Sequence, residues 1–456
     1  MRVAGGLAIG GLLAAGWWQL LFLPLGASHD GRINGRFGLV VRNFLEAGLP
    51  GSGFLASMEP FSDVPYTHHP PLLNILHAVV GSVLGQGEWQ LHSIGYVAGL
   101  GTVAGLLWLA RELDLGAGAP AVALALVAVT PMFWIYARLG LGVSLIVAFL
   151  ALWCRYRRTG DHRLLLPLAA GVAGFGSWTG VLVVAFASAE GSREARYRRT
   201  AVWMGIAGLG AATAALVWAV GAGQVAELVG HAGDRLRWPA WSDLVTTYRW
   251  FYQTLFPGWF RWAILPALAI SLADRRTRMV SMTLLMALGA WTLVAPGAAL
   301  IHDYWTYPLL APVFLGLAAG LQRLRDHVAS ERTTIGVYVV LLVLAATGLA
   351  RVPDYRDAYF LAPSEAGALI RDVPPAPGQA TAWVLEGVDP LPRWVSYYWD
   401  LPTEEVDSGN IERIGDGEVV LVRLDQTPEW VQAGLQVEAQ KGRYALAIGH
   451  ALRSDR

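Results

Sequence analysis

The chain has 456 residues, 55% hydrophobic and 15% charged, and its 34 basic and 34 acidic side chains cancel to a formal charge of zero. A soluble domain carries about 25% charge, so this composition excludes an ordinary water-soluble protein, and the lack of a basic excess argues against a nucleic-acid partner. The single cysteine, Cys154, excludes an internal disulfide and a thiolate metal site.

Apolar runs of roughly 15 to 25 residues recur along the chain, the length needed to cross a hydrocarbon core. The first begins near Val3 and ends near Leu25. It is long and has no small-x-small cleavage site, so it reads as a retained first helix rather than a signal peptide. Further spans fall at about 71–86, 91–110, 119–136, 140–154, 163–189, 200–221, 258–272, 279–300, 304–321 and 334–350. The segment 163–189 is interrupted by Gly174, Gly176 and Gly180, and reads as one tilted helix or two short ones. The expected fold class is an all-α polytopic membrane bundle of 11 to 13 transmembrane helices over residues 1–351, followed by a small α/β domain.

Arginine clusters at 155–158, 193–199, 275–278 and 323–332 set the orientation by the positive-inside rule. Loops 26–70 and 222–257 and the tail after 351 then lie outside. The count does not close: four spans between 71 and 154 would put the 155–158 cluster on the wrong side. In the tail, 352–456, charge rises and prolines 374, 375 and 377 break the chain. Short apolar stretches at 381–385, 418–424 and 444–448 alternate with helical patterns near 364–372, 391–398 and 428–435, which is the pattern of a small α/β domain.

The external loop 26–70 carries the first candidate chemistry. Residues 32–46 fit an amphipathic helix, with Ile33, Phe37, Val40, Val41, Phe44 and Leu45 on one side and Arg32, Arg36, Arg42, Asn43 and Glu46 on the other. Leu39 breaks the pattern. Such a helix is expected flat at the headgroup level, as a shelf beside a lipid-linked substrate or as a plain connector. Asp30 falls where the first helix leaves the membrane, and a carboxylate solvated at that mouth can take a proton from an attacking hydroxyl. It can equally be a turn aspartate before Gly31. His68 and His69 precede Pro70-Pro71, which suits a helix start. They fit phosphate binding at a helix N-terminus, metal ligation or simple capping. Asp63 and Glu59 could complete a loose His/carboxylate cluster for a divalent metal ion.

Later in the chain, Arg138 interrupts apolar sequence after Thr130-Pro131 and suits a carboxylate or phosphate partner, or snorkels. Loop 222–257 mixes His231, Asp234, Arg235, Arg237 and Arg249 with Trp238 and Trp241, suited to sugar or headgroup contact or to an interfacial helix. His302, Asp303 and Tyr304 lie at another external junction, beside Trp305 and Tyr307, where they either serve a site or join an aromatic belt.

Four of these places together resemble the GT-C membrane glycosyltransferases, specifically the PMT/ArnT-like group of glycosyltransferase family 39. They are Ser28-His29-Asp30-Gly31-Arg32 after the first helix, His68-His69-Pro70-Pro71-Leu72 opening the second, Pro131 with Ala137-Arg138, and His302-x-Tyr304-Trp305 followed by Pro308 and Pro312. The resemblance covers about residues 1 to 350. It implies transfer of a sugar from a polyprenyl-phosphate donor to a lipid, glycan or protein acceptor at the external face of a bacterial inner membrane, with inversion at the anomeric carbon. Asp30 would be the catalytic carboxylate. His29, Arg32, Asp63, His68, His69, Arg138, His302, Asp303 and Tyr304 would bind substrate, with cationic or imidazole groups on the donor phosphate. The chain also departs from the pattern. Gly31 stands where an acid is common, His92 where an arginine is common in the third helix, Val143 where an aspartate often follows Ala-Arg, and Thr179 where a lysine is common. A transporter or flippase of lipid-linked sugars and a non-catalytic scaffold subunit remain alternatives.

Overall fold

The structure is a computed structural model. It describes every residue except 1–3, 61–66, 68, 117, 138–140, 223–228, 230–232, 234, 257, 302–306, 329–330, 389–391, 408–409, 411–412, 416, 428–435 and 449–456. In chain order the helices are α1 (Ala4–Trp18), followed by a 3-10 turn Gln19–Phe22, α2 (His29–Gly51), α3 (Leu72–Leu84), α4 (Glu88–Glu112), α5 (Gly118–Ala128), α6 (Pro131–Tyr136), α7 (Leu141–Thr159), α8 (Leu165–Gly176), α9 (Trp178–Ser192) and α10 (Ala195–Gly221). There follow α11 (Trp241–Leu255), α12 (Gly258–Ala273), α13 (Arg278–Val294), α14 (Pro296–Ile301), α15 (Leu310–His327), α16 (Glu331–Leu349), α17 (Val352–Arg356), a π-helical turn Asp357–Leu361 and α18 (Ala362–Asp372). The last part holds β1 (Ala382–Leu385), α19 (Arg393–Trp399), β2 (Thr403–Val406), β3 (Val419–Arg423), β4 (Gln436–Lys441) and β5 (Tyr444–Ile448). Among the described residues four helical stretches, 88–112, 195–221, 307–327 and 332–372, are individually long and apolar enough to cross a membrane. The bent pair 241–255 and 258–273 would make a fifth, and the other apolar helices are shorter.

The chain forms two compact units. One holds 1–18, 67–73 and 94–352; the other holds 19–66, 74–93 and 353–456. The second unit contains a five-stranded sheet of order β2-β1-β3-β5-β4. β1 runs parallel to β2 and β3, with α19 as the crossover between β1 and β2, while β5 is antiparallel to β3 and β4. The three central strands are almost wholly buried and read as unbroken apolar runs. The edge strands, Thr-Glu-Glu-Val and Gln-Val-Glu-Ala-Gln-Lys, are largely exposed and polar, which blunts the sheet edges.

In the same unit α2 differs from the flat, amphipathic helix expected over 32–46. It starts earlier, at His29, where the Ser28 side chain accepts from the Gly31 N–H as an N-cap. Its first half is buried on more than one side: Arg36 is 6% exposed, and Leu39, which broke the periodicity, is fully buried. Only from Leu45 onward does the helix open to its surroundings.

In the first unit, buried aromatics fill the gaps between helices. Trp17 stacks on Phe133 at 5.9 Å and meets Trp134 edge-on at 5.7 Å. The 163–189 segment is two short helices, α8 and α9, and Ser177 at the break caps α9 through the Gly180 N–H. Arginines from three of the four clusters are paired. The fully buried Glu112 carboxylate accepts from Trp108 Nε1 at 3.0 Å and pairs with Arg155 at 3.5 Å and with Arg158. Arg157 reaches Glu190 at 2.5 Å and also Glu194. Gln322 Oε1 accepts from Gly116 N at 2.9 Å, and Asp274 holds Arg276 at 2.9 Å and Arg323 at 3.2 Å. These links gather the ends of α4, α7, α9, α12 and α15 on one side of the unit.

Glu112 and Arg158 bring the ends of α4 and α7 together. α3 has 13 residues, about 20 Å at 1.5 Å per residue, shorter than a hydrocarbon core of about 30 Å, as are α5 and α8 taken singly.

Asp274, in the turn between α12 and α13, has its carboxyl lowered from 3.8 to about 2, chiefly by the hydrogen bond from Arg276. A depressed folded-state value contributes stability above about pH 4 that is lost as pH falls toward 2. Allowing for screening at the part-exposed arginines, Asp274→Asn should cost about 1 kcal/mol at pH 7, with the deficit shrinking below pH 4. Thermal unfolding of purified protein across that range measures both, and a deficit that stays constant with pH contradicts the assignment.

Candidate active site around Asp30

The site grows from the spacing along α2. Asp30, Asn34, Phe37 and Val41 follow one another at i, i+4, i+7 and i+11, so they share a face. Gly31, Gly35 and Gly38 make a second face one step round the helix. The glycine face allows close approach. A Cβ at Gly31 would overlap the backbone N and O of Gly26, one at Gly35 would lie 2.8 Å from the Trp394 backbone, and one at Gly38 would lie 2.5 Å from the Tyr397 ring. Gly31 therefore leaves no room for a side chain.

The extended segment 23–28 is clamped as tightly. Leu25 N donates to Tyr398 Oη at 2.8 Å, Ala27 N donates to the Pro363 carbonyl at 3.1 Å, and Gly367 has room for no side chain against the Leu25 carbonyl. Tyr398 Oη in turn donates to Glu88 Oε1 at 2.6 Å, and Arg371 reaches the same oxygen at 3.2 Å. Burial, then the neighbouring Glu88 carboxylate, pushes the Tyr398 hydroxyl far above its usual range, so it stays a donor. Arg42 adds an ion pair to Asp400 at 2.9 Å and donates to the Tyr397 carbonyl at 3.3 Å.

Within this frame Asp30 is buried, at 4% exposure, not solvated as its place in the sequence suggested. Asn34 Nδ2 donates to its Oδ1 at 3.1 Å, and His92 Nδ1 faces its Oδ2 at 3.0 Å. The other ring nitrogen, Nε2, lies 3.1 Å from the Leu23 carbonyl oxygen. A carbonyl only accepts, so Nε2 carries a hydrogen. The 3.0 Å contact between Nδ1 and a carboxyl oxygen has the length of a hydrogen bond with one proton between them. Asn34 Nδ2 completes the triangle, 3.1 Å from His92 Nδ1. Beside this group, the His77 ring stacks on Phe37 at 4.1 Å and 14°, and the Arg36 guanidinium carbon sits 4.4 Å from the Phe37 centroid.

Of the residues singled out in the sequence, Asp30, His29 and Arg32 share the first turn of α2, the latter two half-buried. His69 is half-buried in the 67–73 segment of the other unit. Asp63, His68, Arg138, His302, Asp303 and Tyr304, with His231 and Asp234, lie outside the described residues. Among the described residues no group of three or more His, Cys, Asp or Glu could hold a metal ion. Asn34, Arg36, His77 and His92 were not singled out as site residues. The i+4 spacing of Asn34 from Asp30 was a readable signal, whereas nothing local links His92 or His77 to Asp30.

No family model and no curated protein sequence matches the chain. Among solved structures it is similar to ArnT from Cupriavidus metallidurans bound to undecaprenyl phosphate, with 13% identity and a TM-score of 0.55, over 100% of this chain and 99% of that one. It is also similar to the same protein in the apo state, with 14% identity and a TM-score of 0.51, over 98% of each chain. At such identity the likeness establishes the fold alone: a bundle of apolar helices with a small sheet near the end of the chain, shared with that protein.

Gly31→Ala tests the glycine face. In a free helix alanine would gain about 1 kcal/mol over glycine, but the Gly26 backbone cannot give way like a flexible side chain. The variant should lose at least 2 kcal/mol, on the order of an overpacked core, seen as a lowered melting temperature or lost monodisperse protein in detergent. An unchanged or raised melting temperature would show that the segment 23–28 is not held against α2.

Proposed function

We propose that this chain is a membrane glycosyltransferase that moves a sugar from a polyprenyl-phosphate donor to a hydroxyl of a lipid, glycan or protein acceptor. The single observation that carries this reading is the buried, positioned Asp30 at the N-terminus of α2, in a chain that shares its fold from end to end with a protein crystallised with undecaprenyl phosphate. The arginine-bearing helix ends then face the cytoplasm. Asp30 and the tail 352–456 belong on the external side of a bacterial inner membrane.

In this mechanism Asp30 is the general base. Its carboxylate takes the proton of the acceptor hydroxyl as the oxygen bonds to the anomeric carbon from the face opposite the phosphate. The bond from that carbon to the phosphate oxygen breaks, and its electron pair leaves with polyprenyl phosphate, so the configuration inverts. The leaving group is already an anion, and positive groups such as His29, Arg32, His69, Arg138 and His302 would stabilise its developing charge. Asp63, His68, Asp303 and Tyr304 would complete the substrate-binding set. No step is assigned to a metal ion.

A strain lacking the chain, complemented with wild type or with Asp30→Asn, tests the reading through mass spectrometry of envelope lipids and glycans. Wild type should restore a sugar modification. Asp30→Asn at equal membrane level should lose at least about 100-fold of the transfer, the usual scale of base catalysis. Full restoration by Asp30→Asn would remove Asp30 from the mechanism. No sugar difference between the deletion strain and wild type would favour a scaffold role.

A further inference from the structure

The carboxylate assigned as base is also one half of a buried pair. We propose that His92 is the positioning residue for Asp30: pinned through Nε2–H on the Leu23 carbonyl, it shares a single proton with Asp30 through Nδ1 and so fixes the direction and charge of the carboxylate. The catalytic part of this inference rests on the glycosyltransferase reading, while the pair itself rests on geometry alone.

Three contacts on the page leave few arrangements open. The Leu23 carbonyl can only accept, so it selects the Nε2–H form of the ring. With that hydrogen fixed, the 3.0 Å approach of Nδ1 to Oδ2 would set two lone pairs against each other unless a proton lies between them. Asn34 Nδ2 lies 3.1 Å from both Oδ1 and Nδ1; with the proton between Nδ1 and Oδ2 it donates to Oδ1, and the two carboxyl oxygens are held by two different donors. The four side-chain and backbone groups come from segment 23–28, α2 and the first turns of α4. Asp30 is 4%, Asn34 6% and His92 2% exposed, so the group is shielded from bulk solvent.

The consequence for proton transfer follows from charge. With the shared proton on Nδ1, Asp30 is a carboxylate beside an imidazolium, and the pair is neutral overall. Accepting the acceptor's proton leaves Asp30 neutral and His92 positive, so the pair gains one positive charge as the departing phosphate gains one negative charge. A neutral hydrogen-bond donor at position 92 would aim the carboxylate but would not hold that charge.

Two measurements on the full-length protein test it. In nitrogen-15 NMR of histidine-labelled protein, Asp30→Asn should convert His92 from a ring hydrogen-bonded at both nitrogens through hydrogens into a neutral one whose Nδ1 accepts. His92→Gln identifies the resonance by its loss. A His92 signal that is the same in wild type and Asp30→Asn overturns the pair, whatever the chain's activity. In the transfer assay, His92→Gln should lower kcat at least 10-fold with KM nearly unchanged, and the double variant should be no slower than Asp30→Asn alone, because the two residues act as a unit. Full kcat in His92→Gln with the pair visible by NMR overturns the positioning role and leaves the glycosyltransferase reading standing. Absence of any transfer by wild type, with the pair visible by NMR, fails the function and not the pair.

Discussion

Everything near Asp30 depends on how closely α2 lies against its neighbours. Three glycines on one helical face let backbone meet backbone, at Gly26 on one side and at Trp394 on the other. That closeness fixes the helix along its axis and about it. Once α2 is fixed, the carboxylate of Asp30 has no latitude, since it starts the helix and is itself buried. The tail residues are therefore part of the site's frame: Pro363, Gly367, Trp394, Tyr397 and Tyr398 all bear on residues 25 to 38. A domain whose sequence gave no hint of its purpose is a brace for the residue of greatest interest.

Burial has a cost that explains the polar company Asp30 keeps. Removing a charged carboxyl from water is expensive unless a counter-charge and hydrogen bonds replace the solvent. Asn34 and His92 supply both, and the Leu23 carbonyl settles the remaining ring nitrogen. The same logic recurs at the opposite kind of location in Glu112, wholly buried between arginines and an indole N–H. Both are satisfied polar clusters at helix ends. They differ in that Glu112 is surrounded by arginines that stay charged, whereas Asp30 faces an imidazole that can release its proton.

Much of the architecture was legible because its signals are local. Apolar runs located most helices within a few residues, the glycines of 163–189 marked a real break, and the three buried strands stood out as short apolar stretches. What failed, failed for physical reasons. The edge strands β2 and β4 are polar, so they carry no apolar run to find. The 71–86 segment is apolar, yet its helix has only 13 residues, and hydropathy does not measure helix length. The amphipathic pattern of 32–46 was real, but Arg36 is carried inward by its contact with Phe37, and periodicity assigns every arginine to water. Asp30 was legible as a candidate from its position. Its partner at 92 was not, because a contact across 58 or more residues leaves no trace in spacing.

The bond from Leu25 to Tyr398 joins residues 373 positions apart. A chain emerging from a ribosome exposes its beginning long before its end, and contacts of such separation close late. The first helices can be threaded and packed while the stretch from Leu25 to Arg42 still waits for its counterpart. Assembly of the frame around Asp30 is thus deferred until Tyr398 has been made, and a product truncated before it would lack the clamp on residues 25 to 38.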